Sequence, residues 1–249
     1  MVRGLELFRE HFKNYSEQYM LIGGTACSVI MEDAGLEFRA TKDLDIVLCA
    51  EALTDDFFKA FWEFVQAGGY TIRQKSDGKP QLYRFSKPAD KNYPYMLELF
   101  SRRPDFRIAE DAHLAPIPSD DEVYSLSAIL LNDNYYTLIR KGVTVINGIS
   151  VVEANYLIPL KVKAFWDLRQ RKLDGENIDS DTVAKHKRDI FRLLTVAETA
   201  PQITLPDDMK SGIDRFIEFA KEEPLALKDI GITQFSFDEL LDNLSSIYL

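Results

Sequence analysis

The sequence lacks most of the residues and motifs that would assign a chemistry directly. Its two cysteines, Cys27 and Cys49, form no CxxC pair, and its three histidines are not clustered. A zinc site and a disulfide scaffold are therefore unsupported, and both thiols are expected to be small buried side chains. No GxxxxGK[ST], GxGxxG, HExxH or GxSxG pattern occurs. These absences argue against P-loop enzymes, Rossmann dinucleotide enzymes, zinc hydrolases and serine hydrolases.

Long apolar runs are absent as well. No run approaches the roughly 18 residues that a membrane helix needs, and the N-terminus has no signal-peptide apolar stretch. We therefore expect a cytoplasmic protein without a membrane partner. The 249 residues, 46% hydrophobic and 28% charged, suffice for one large or two modest globular domains. The net charge of −10 argues against broad affinity for nucleic acid, although a local basic site is still compatible with it.

A glycine pair marks the first informative segment. The short apolar strand Tyr19–Ile22 meets Gly23, Gly24 and Thr25, and a helix is expected at 26–34. Glycine at a strand-to-helix turn lets a ligand approach the backbone, and the N–H groups of the helix start favour an anion. A tight turn with a helix cap is the alternative interpretation of any single Gly-Gly.

Two carboxylates follow in a segment with the pattern of a buried strand. Asp43 and Asp45 should point to one face of it, roughly 7 Å apart. Burying such a pair without a cation is costly, so a divalent metal is expected there. An isolated Asp-x-Asp more often marks a turn or a solvated edge, but the adjoining LDIVL and the preceding glycines favour the metal. Glu98, inside MLELF, is the candidate third acid; alternatively, it pairs with an arginine such as Arg84.

The periodicity predicts an α+β protein: a small mixed β-sheet with flanking helices over residues 1–150, then an all-α domain over 151–249. In the first part we expect helices at 3–15 and 54–67, a turn at 76–80, a loop at 102–122 and strands at 44–48, 70–75, 81–86, 95–101, 135–140, 143–146 and 149–152. In the second part we expect helices at 153–172, 180–198, 208–222 and 236–246, the second capped by Ser180 or Asp181.

A lysine stands in the apolar stripe of the first of these late helices. Lys161 lies among Leu157, Ala164, Phe165 and Leu168 at helical spacing. Such a lysine is often an edge residue with its amine in solvent, whereas in a cleft it would give a point charge to triphosphate oxygens.

The next helix repeats this arrangement. Lys187 occupies an apolar stripe there, and Asp189 on the adjoining flank is suited to hold a lysine or a substrate group.

These motifs together resemble a known family. GGTA (23–26) followed by RATKDLDI (39–46) resembles the GG[ST] and R-x-T-x-D-[LI]-D pattern of the DNA polymerase β-like nucleotidyltransferase superfamily. IPLKVKAFWDLRQRK (158–172) and KHKRDIFRL (185–193) resemble the helical-domain motifs of the AbiEii/AbiGii toxin-like nucleotidyltransferases. The resemblance covers most of residues 19–194 and implies a nucleotidyltransferase fold whose helical domain completes the active-site cleft.

The resemblance also implies roles for the matching residues. Those implied in the chemistry are Asp43, Asp45, Glu98 and Lys161. Those implied in nucleotide binding are Gly23, Gly24, Thr25, Arg39, Thr41, Lys187 and Asp189. The three carboxylates Asp43, Asp45 and Glu98 would hold Mg²⁺, expected as two ions.

The implied activity is Mg²⁺-dependent transfer of a nucleoside monophosphate from a triphosphate to a hydroxyl, with release of pyrophosphate. Toxin-type relatives use nucleotides against tRNA or related targets, usually beside a separate antitoxin, whereas other branches modify small molecules such as aminoglycosides. Two rival hypotheses stay open at this point. One is a nucleotide-binding partner module without catalysis, and the other is a purely structural protein in which the glycine and aspartate pairs occur by chance.

Overall fold

The structure, a computed structural model, describes residues 2–49, 51–72, 81–101 and 133–249. These residues form two compact units. The first contains the described residues up to 101 together with Val143–Glu153, and the second contains residues 133–142 together with Ala154–Leu249. The predicted turn at 76–80, the loop at 102–122 and the end of the strand at 70–75 lie outside the described residues.

A mixed β-sheet of seven strands is the framework of the first unit. Its strands are β1 (Tyr19–Ile22), β2 (Asp43–Leu48), β3 (Thr71–Ile72), β4 (Gln81–Ser86), β5 (Met96–Ser101), β6 (Val143–Ile146) and β7 (Ile149–Val152). They are arranged in the order β3-β4-β5-β2-β1-β7-β6. β2 is antiparallel to β1 and parallel to β5, and β1 is parallel to β7. The two strands that flank the glycine pair in sequence therefore lie side by side in the middle of the sheet.

Among the residues that the structure describes, the helices of this unit are α1 (Leu5–Phe12), α2 (Gly23–Asp33) and α3 (Asp55–Gly68). The predicted start of α3 is confirmed, because the Thr54 hydroxyl accepts a hydrogen bond from the backbone N–H of Phe57 at 3.3 Å. Aromatic rings of α1, α3 and β1 form one buried cluster: Phe8, Phe12, Tyr19, Phe57, Phe61 and Phe64. This cluster supports the strand that leads into Gly23.

The prediction of a strand at 135–140 is wrong. Residues Asp133–Lys141 form a helix, α4, which belongs to the second unit. Its apolar residues recur at helical spacing, since Tyr135, Tyr136, Leu138 and Ile139 are all buried. The predicted hairpin between β6 and β7 is confirmed: Asn147 and Gly148 have φ of 49° and 79°, as a two-residue type I′ turn requires.

The other regular elements of the second unit, within the described residues, are helical: α5 (Ala154–Leu173), α6 (Ser180–Leu194), α7 (Asp207–Glu222), a 3₁₀ turn (Leu227–Ile230) and α8 (Phe237–Tyr248). The cap of α6 is neither predicted residue, because the Asp179 side chain accepts the N–H of Asp181. No helix in the described ranges is long and apolar enough to cross a membrane.

A proline in α5 is compensated by the last helix. Pro159 lies inside α5 and has no N–H to donate to the carbonyl of Asn155, four residues earlier. The hydroxyl of the fully buried Tyr248 donates a hydrogen bond to this carbonyl instead. The C-terminal helix therefore supplies a donor that α5 lacks.

Candidate active site

The candidate site is built around the junction of β1 and α2. Gly23 has φ of +64°, a conformation in which a side chain is strained. A Cβ at this position would lie only 1.7 Å from Oδ2 of Asp45. The Asp45 carboxylate thus occupies the space beside the glycine backbone. A glycine is required here for both reasons, and the start of α2 lies directly against a carboxylate.

The second glycine brings two further predicted residues to the same place. A Cβ on Gly24 would lie 2.8 Å from Oγ1 of Thr41 and 3.4 Å from Nη2 of Arg39. Arg39 and Thr41 therefore lie against the first turn of α2. Next to them, the buried Thr25 donates a hydrogen bond of 2.6 Å to the carbonyl oxygen of Asp43. This bond fixes α2 to the first residue of β2.

Asp43 and Asp45 occupy one face of β2, as the sequence predicts. Alternate residues of a strand point to opposite faces. Leu44 and Ile46 are fully buried on one face, whereas the two aspartates are half-buried on the other. The structure therefore places both carboxylates on the face opposite Leu44 and Ile46, with Asp45 next to Gly23.

Glu98 lies beside Asp45 but has a cation of its own. The two residues are direct partners in the parallel pairing of β2 and β5. On its other side Glu98 is paired with Arg84 of β4. The Nε and Nη2 atoms of Arg84 lie 2.8 and 2.7 Å from Oε1 of Glu98. The arginine partner that the sequence left open as an alternative is therefore present.

The electrostatics of Glu98 combine opposing effects. Burial raises the pKa of the Glu98 carboxyl, and the charge of Asp43 acts in the same direction. The Arg84 guanidinium and a hydrogen bond with the Asp45 side chain lower this pKa, but burial outweighs them. The Glu98 carboxyl is thus buried between Arg84 and Asp45.

The carboxylates fit a metal ion as a pair. Mg²⁺ typically binds one or two protein carboxylates together with phosphate oxygens and water. Asp43 and Asp45 form such a pair of half-buried carboxylates on one face of β2. Among the residues that the structure describes, no group of three or more His, Cys, Asp or Glu side chains is placed to hold a metal. Glu98 as a third protein ligand stays a prediction.

The predicted residues of the second unit form a separate ion pair. Nζ of Lys161 donates to Oδ2 of Asp189 at 3.0 Å, and both side chains are buried. Arg192, one helical turn after Asp189, lies 3.6 Å from Oδ1. Asp189 therefore holds a lysine, one of the two roles that its position allowed. Sequence reasoning passed over Arg192, although its i+3 spacing from Asp189 was a usable signal.

Lys187 lies in a different environment from Lys161. Its Nζ donates to the carbonyl oxygen of Glu223 and lies 4.8 Å from the centre of the Phe219 ring. Burial, together with the nearby Arg169, lowers the pKa of Lys187, although Glu223 acts in the opposite direction. Lys187 is therefore anchored to the end of α7 rather than to Asp189.

Comparison with solved structures gives a likeness of limited strength. No protein-family model and no curated protein matches the chain. The crystal structure of an antigenic nucleotidyltransferase-like protein from Paracoccidioides brasiliensis is similar over 87% of this chain and 86% of that one. The identity is 13% and the TM-score is 0.46. A similarity of this size does not establish a shared function, so the function proposed below depends on the residues of the site.

Proposed function

We propose that this protein is a nucleotidyltransferase, which transfers a nucleoside monophosphate from a nucleoside triphosphate to a hydroxyl acceptor and requires Mg²⁺. The observation that carries the proposal is the contact between Gly23 and the Asp45 carboxylate. It joins an anion-binding helix start to the carboxylate pair of β2 within a few ångströms. A triphosphate needs both features, because its oxygens are bound by backbone N–H groups and its charge is neutralised by a cation.

The helix start would bind the phosphate chain. The first N–H groups of α2 have no partner within the helix and carry partial positive charge. Gly23 and Gly24 have no side chains to obstruct a phosphate group. Thr25 holds this turn against β2 through the Asp43 carbonyl, so the phosphate site and the carboxylate pair stay in a fixed relation.

Asp43 and Asp45 would hold Mg²⁺, which neutralises phosphate charge when it is bound. In the proposed reaction the acceptor oxygen forms a bond to the α-phosphorus, and the bond from this phosphorus to the bridging oxygen of the β-phosphate breaks. Pyrophosphate leaves with that electron pair, and the hydroxyl proton passes to solvent water. The chain's contribution is positioning, because the backbone of α2 and the two aspartates orient the triphosphate for this displacement.

The identity of the acceptor and the roles of the residues in the second unit remain predictions from the resemblance. tRNA and a small molecule of the aminoglycoside type are both compatible with the acidic chain, and an antitoxin partner would accompany the first. The roles of Lys161, Lys187 and Asp189 toward the nucleotide are likewise predictions. Within the second unit these residues already have the partners described above.

A transfer assay tests the proposal. The protein is incubated with each α-labelled nucleoside triphosphate, Mg²⁺, and either total tRNA or a panel of aminoglycosides, and both label transfer and pyrophosphate release are measured. We expect transfer to one class of acceptor, and we expect Asp45→Asn to reduce it at least a hundredfold. The matched control is Asp33→Asn, at the exposed far end of α2, which should leave the rate unchanged.

Two results would contradict the proposed activity. Nucleotide binding without pyrophosphate release from any acceptor would indicate a partner module without catalysis. Label transfer that survives Asp45→Asn would place the chemistry elsewhere in the chain.

A further inference from the structure

Three side chains lie in one row across the sheet beside the proposed metal site. Arg84 of β4 is the direct partner of Glu98 in β5, and Glu98 is the direct partner of Asp45 in β2. Directly opposed residues of neighbouring strands project from the same face of a sheet. Strands lie about 4.8 Å apart, so each member of the row is within reach of the next. The row ends at Asp45, which lies against Gly23.

Glu98 has a different type of neighbour on each side in this row: a guanidinium on one side and a carboxyl group on the other. Nε of Arg84 donates a hydrogen bond to Oε1 of Glu98, and Nη2 lies at ion-pair distance from the same oxygen. The Glu98 and Asp45 carboxyl groups are direct neighbours across the pairing of β2 and β5. The side chains of Arg84 and Glu98 are only 12% and 4% exposed. An arginine and a carboxylate buried to this extent restrict each other strongly, since leaving either without its partner would strand a buried charge.

A metal-ligand role for Glu98 conflicts with this arrangement. To bind a cation, the carboxylate would have to share its charge between the ion and the Arg84 guanidinium, with which it already forms a buried ion pair. The described residues also contain no three-membered group of potential ligands at this place. A role that is consistent both with the Arg84 ion pair and with the position of Glu98 beside Asp45 is to orient the Asp45 carboxylate.

We infer that Arg84 and Glu98 form a positioning pair for Asp45, in which Arg84 fixes Glu98 and Glu98 fixes the orientation of the Asp45 carboxylate. This inference rests on the proposed function, in which Asp45 is a metal ligand. Outer partners of metal ligands commonly change metal affinity about 10- to 100-fold when they are removed. The pair would thus determine how strongly Asp45 binds the ion, without contacting the ion itself.

Metal binding distinguishes positioning from direct ligation without the need for activity. Mn²⁺ binding is followed by electron paramagnetic resonance in the presence of an α,β-methylene nucleoside triphosphate, for the wild type and for Asp45→Asn, Arg84→Met, Arg84→Lys and Glu98→Gln. Arg84→Met removes a positive charge near the site. Electrostatics alone would therefore strengthen cation binding, whereas loss of positioning weakens it.

The positioning role predicts a specific pattern of affinities. We expect Arg84→Met to weaken Mn²⁺ binding about tenfold, and Arg84→Lys to recover part of this loss. Glu98→Gln keeps an acceptor for Arg84 and should stay within about threefold of the wild type. Asp45→Asn should lose at least tenfold. The double variant Arg84→Met/Glu98→Gln should be no weaker than Arg84→Met alone, because the two residues act in series.

The outcomes separate this inference from the proposed function. Tighter Mn²⁺ binding by Arg84→Met, or a loss in Glu98→Gln as large as in Asp45→Asn, would overturn the positioning role while the metal site stands. Absence of Mn²⁺ binding by the wild type would overturn the metal site and, with it, the role of the pair. Circular dichroism and thermal unfolding confirm that each variant is folded, and Arg84→Lys provides a folded variant if Arg84→Met is not.

Discussion

Gly23 shows at the scale of one residue why the candidate site needs a particular amino acid. Gly23→Ala combines two costs: an alanine at φ of +64° and a Cβ placed 1.7 Å from the Asp45 carboxylate. Gly35 has a similar φ of +73°, but a Cβ there would meet nothing within 4 Å. Gly35→Ala should therefore lose only the conformational part, about 1–2 kcal/mol.

We predict that Gly23→Ala lowers the free energy of unfolding by more than Gly35→Ala in urea denaturation, by about 1–3 kcal/mol. It should also reduce Mn²⁺–nucleotide binding, which Gly35→Ala should leave intact. Equal losses of stability in the two variants would show that Asp45 moves aside without cost, and would weaken the assignment of Gly23 to the site.

The positions of residues relative to one another were predictable from sequence where a short motif fixes the neighbours. Gly23, Gly24 and Thr25 lie within a few residues of one another, and Asp43 and Asp45 share a face because a strand has a period of two. The partner of Glu98 was harder to predict. Arg84 was recognisable as a candidate, but only the register between β4 and β5 decides which strand residue faces Glu98, and register depends on the whole sheet.

Single elements depend on donors supplied from distant parts of the chain, and the Asn155 carbonyl is an example. Pro159 leaves this carbonyl without its helical partner, and Tyr248 supplies the donor. Tyr248→Phe keeps the ring but removes the hydroxyl, so it should cost about 1–3 kcal/mol. Pro159→Ala restores a backbone N–H within α5. In that background the cost of Tyr248→Phe should fall by about 1 kcal/mol.

Urea denaturation of the four members of this cycle measures the coupling. Equal costs of Tyr248→Phe with Pro159 and with alanine would show that the hydroxyl does not replace the missing N–H. The result also bears on the last fifty residues, for which the sequence offers no motif, because it tests whether α8 stabilises the helix that carries Lys161.

Helix α4 shows why one element was predicted incorrectly. Tyr135, Tyr136, Thr137 and Ile139 are aromatic or β-branched, and such residues favour strands by local preference. Burial at helical spacing outweighs this preference, as tertiary context commonly does for short segments. The same local pattern gave the correct answer for β6 and β7, where the Asn147-Gly148 turn adds a strong hairpin signal.

The sign of one threonine substitution checks this assignment. Thr137 is exposed in α4, so Thr137→Ala should stabilise the protein by a few tenths of a kcal/mol, roughly the difference in helix propensity. The matched variant Thr144→Ala in β6 should destabilise it, since threonine is favoured in strands. Chemical denaturation measures both. A destabilising Thr137→Ala would argue for the strand that the sequence predicts.

At the scale of the whole molecule, the sequence predicted the elements better than their grouping. The bounds of β1, β4, β6 and β7 are as predicted, and those of the late helices agree within a few residues, because apolar periodicity and turn residues act locally. The assignment of each element to one of the two units depends on long-range contacts. The predicted division at residue 150 places 133–142 with the sheet, whereas in the structure they belong to the helical unit and β7 runs on to Val152.

Alkaline unfolding is the property of the whole chain that its buried tyrosines should control. Burial raises the pKa of Tyr19 to about 12. Burial also raises the pKa of Tyr70, Tyr135 and Tyr248 above the ordinary value of 10.0. The folded state therefore keeps these protons at a pH where the unfolded state releases them. The contribution of these tyrosines to the free energy of unfolding is fully present below about pH 10 and is lost as the pH rises above it.

For Tyr19 alone, two pKa units correspond to about 2.7 kcal/mol lost between roughly pH 10 and pH 12. We predict that the tyrosinate absorbance of these four residues appears only together with the loss of far-ultraviolet circular dichroism, whereas all eleven tyrosines titrate normally in guanidinium chloride. Tyr19→Phe, which keeps the ring, should move the alkaline midpoint to higher pH. Full tyrosine ionisation before any loss of dichroism would contradict this account, because the buried hydroxyls of both units would then ionise without unfolding.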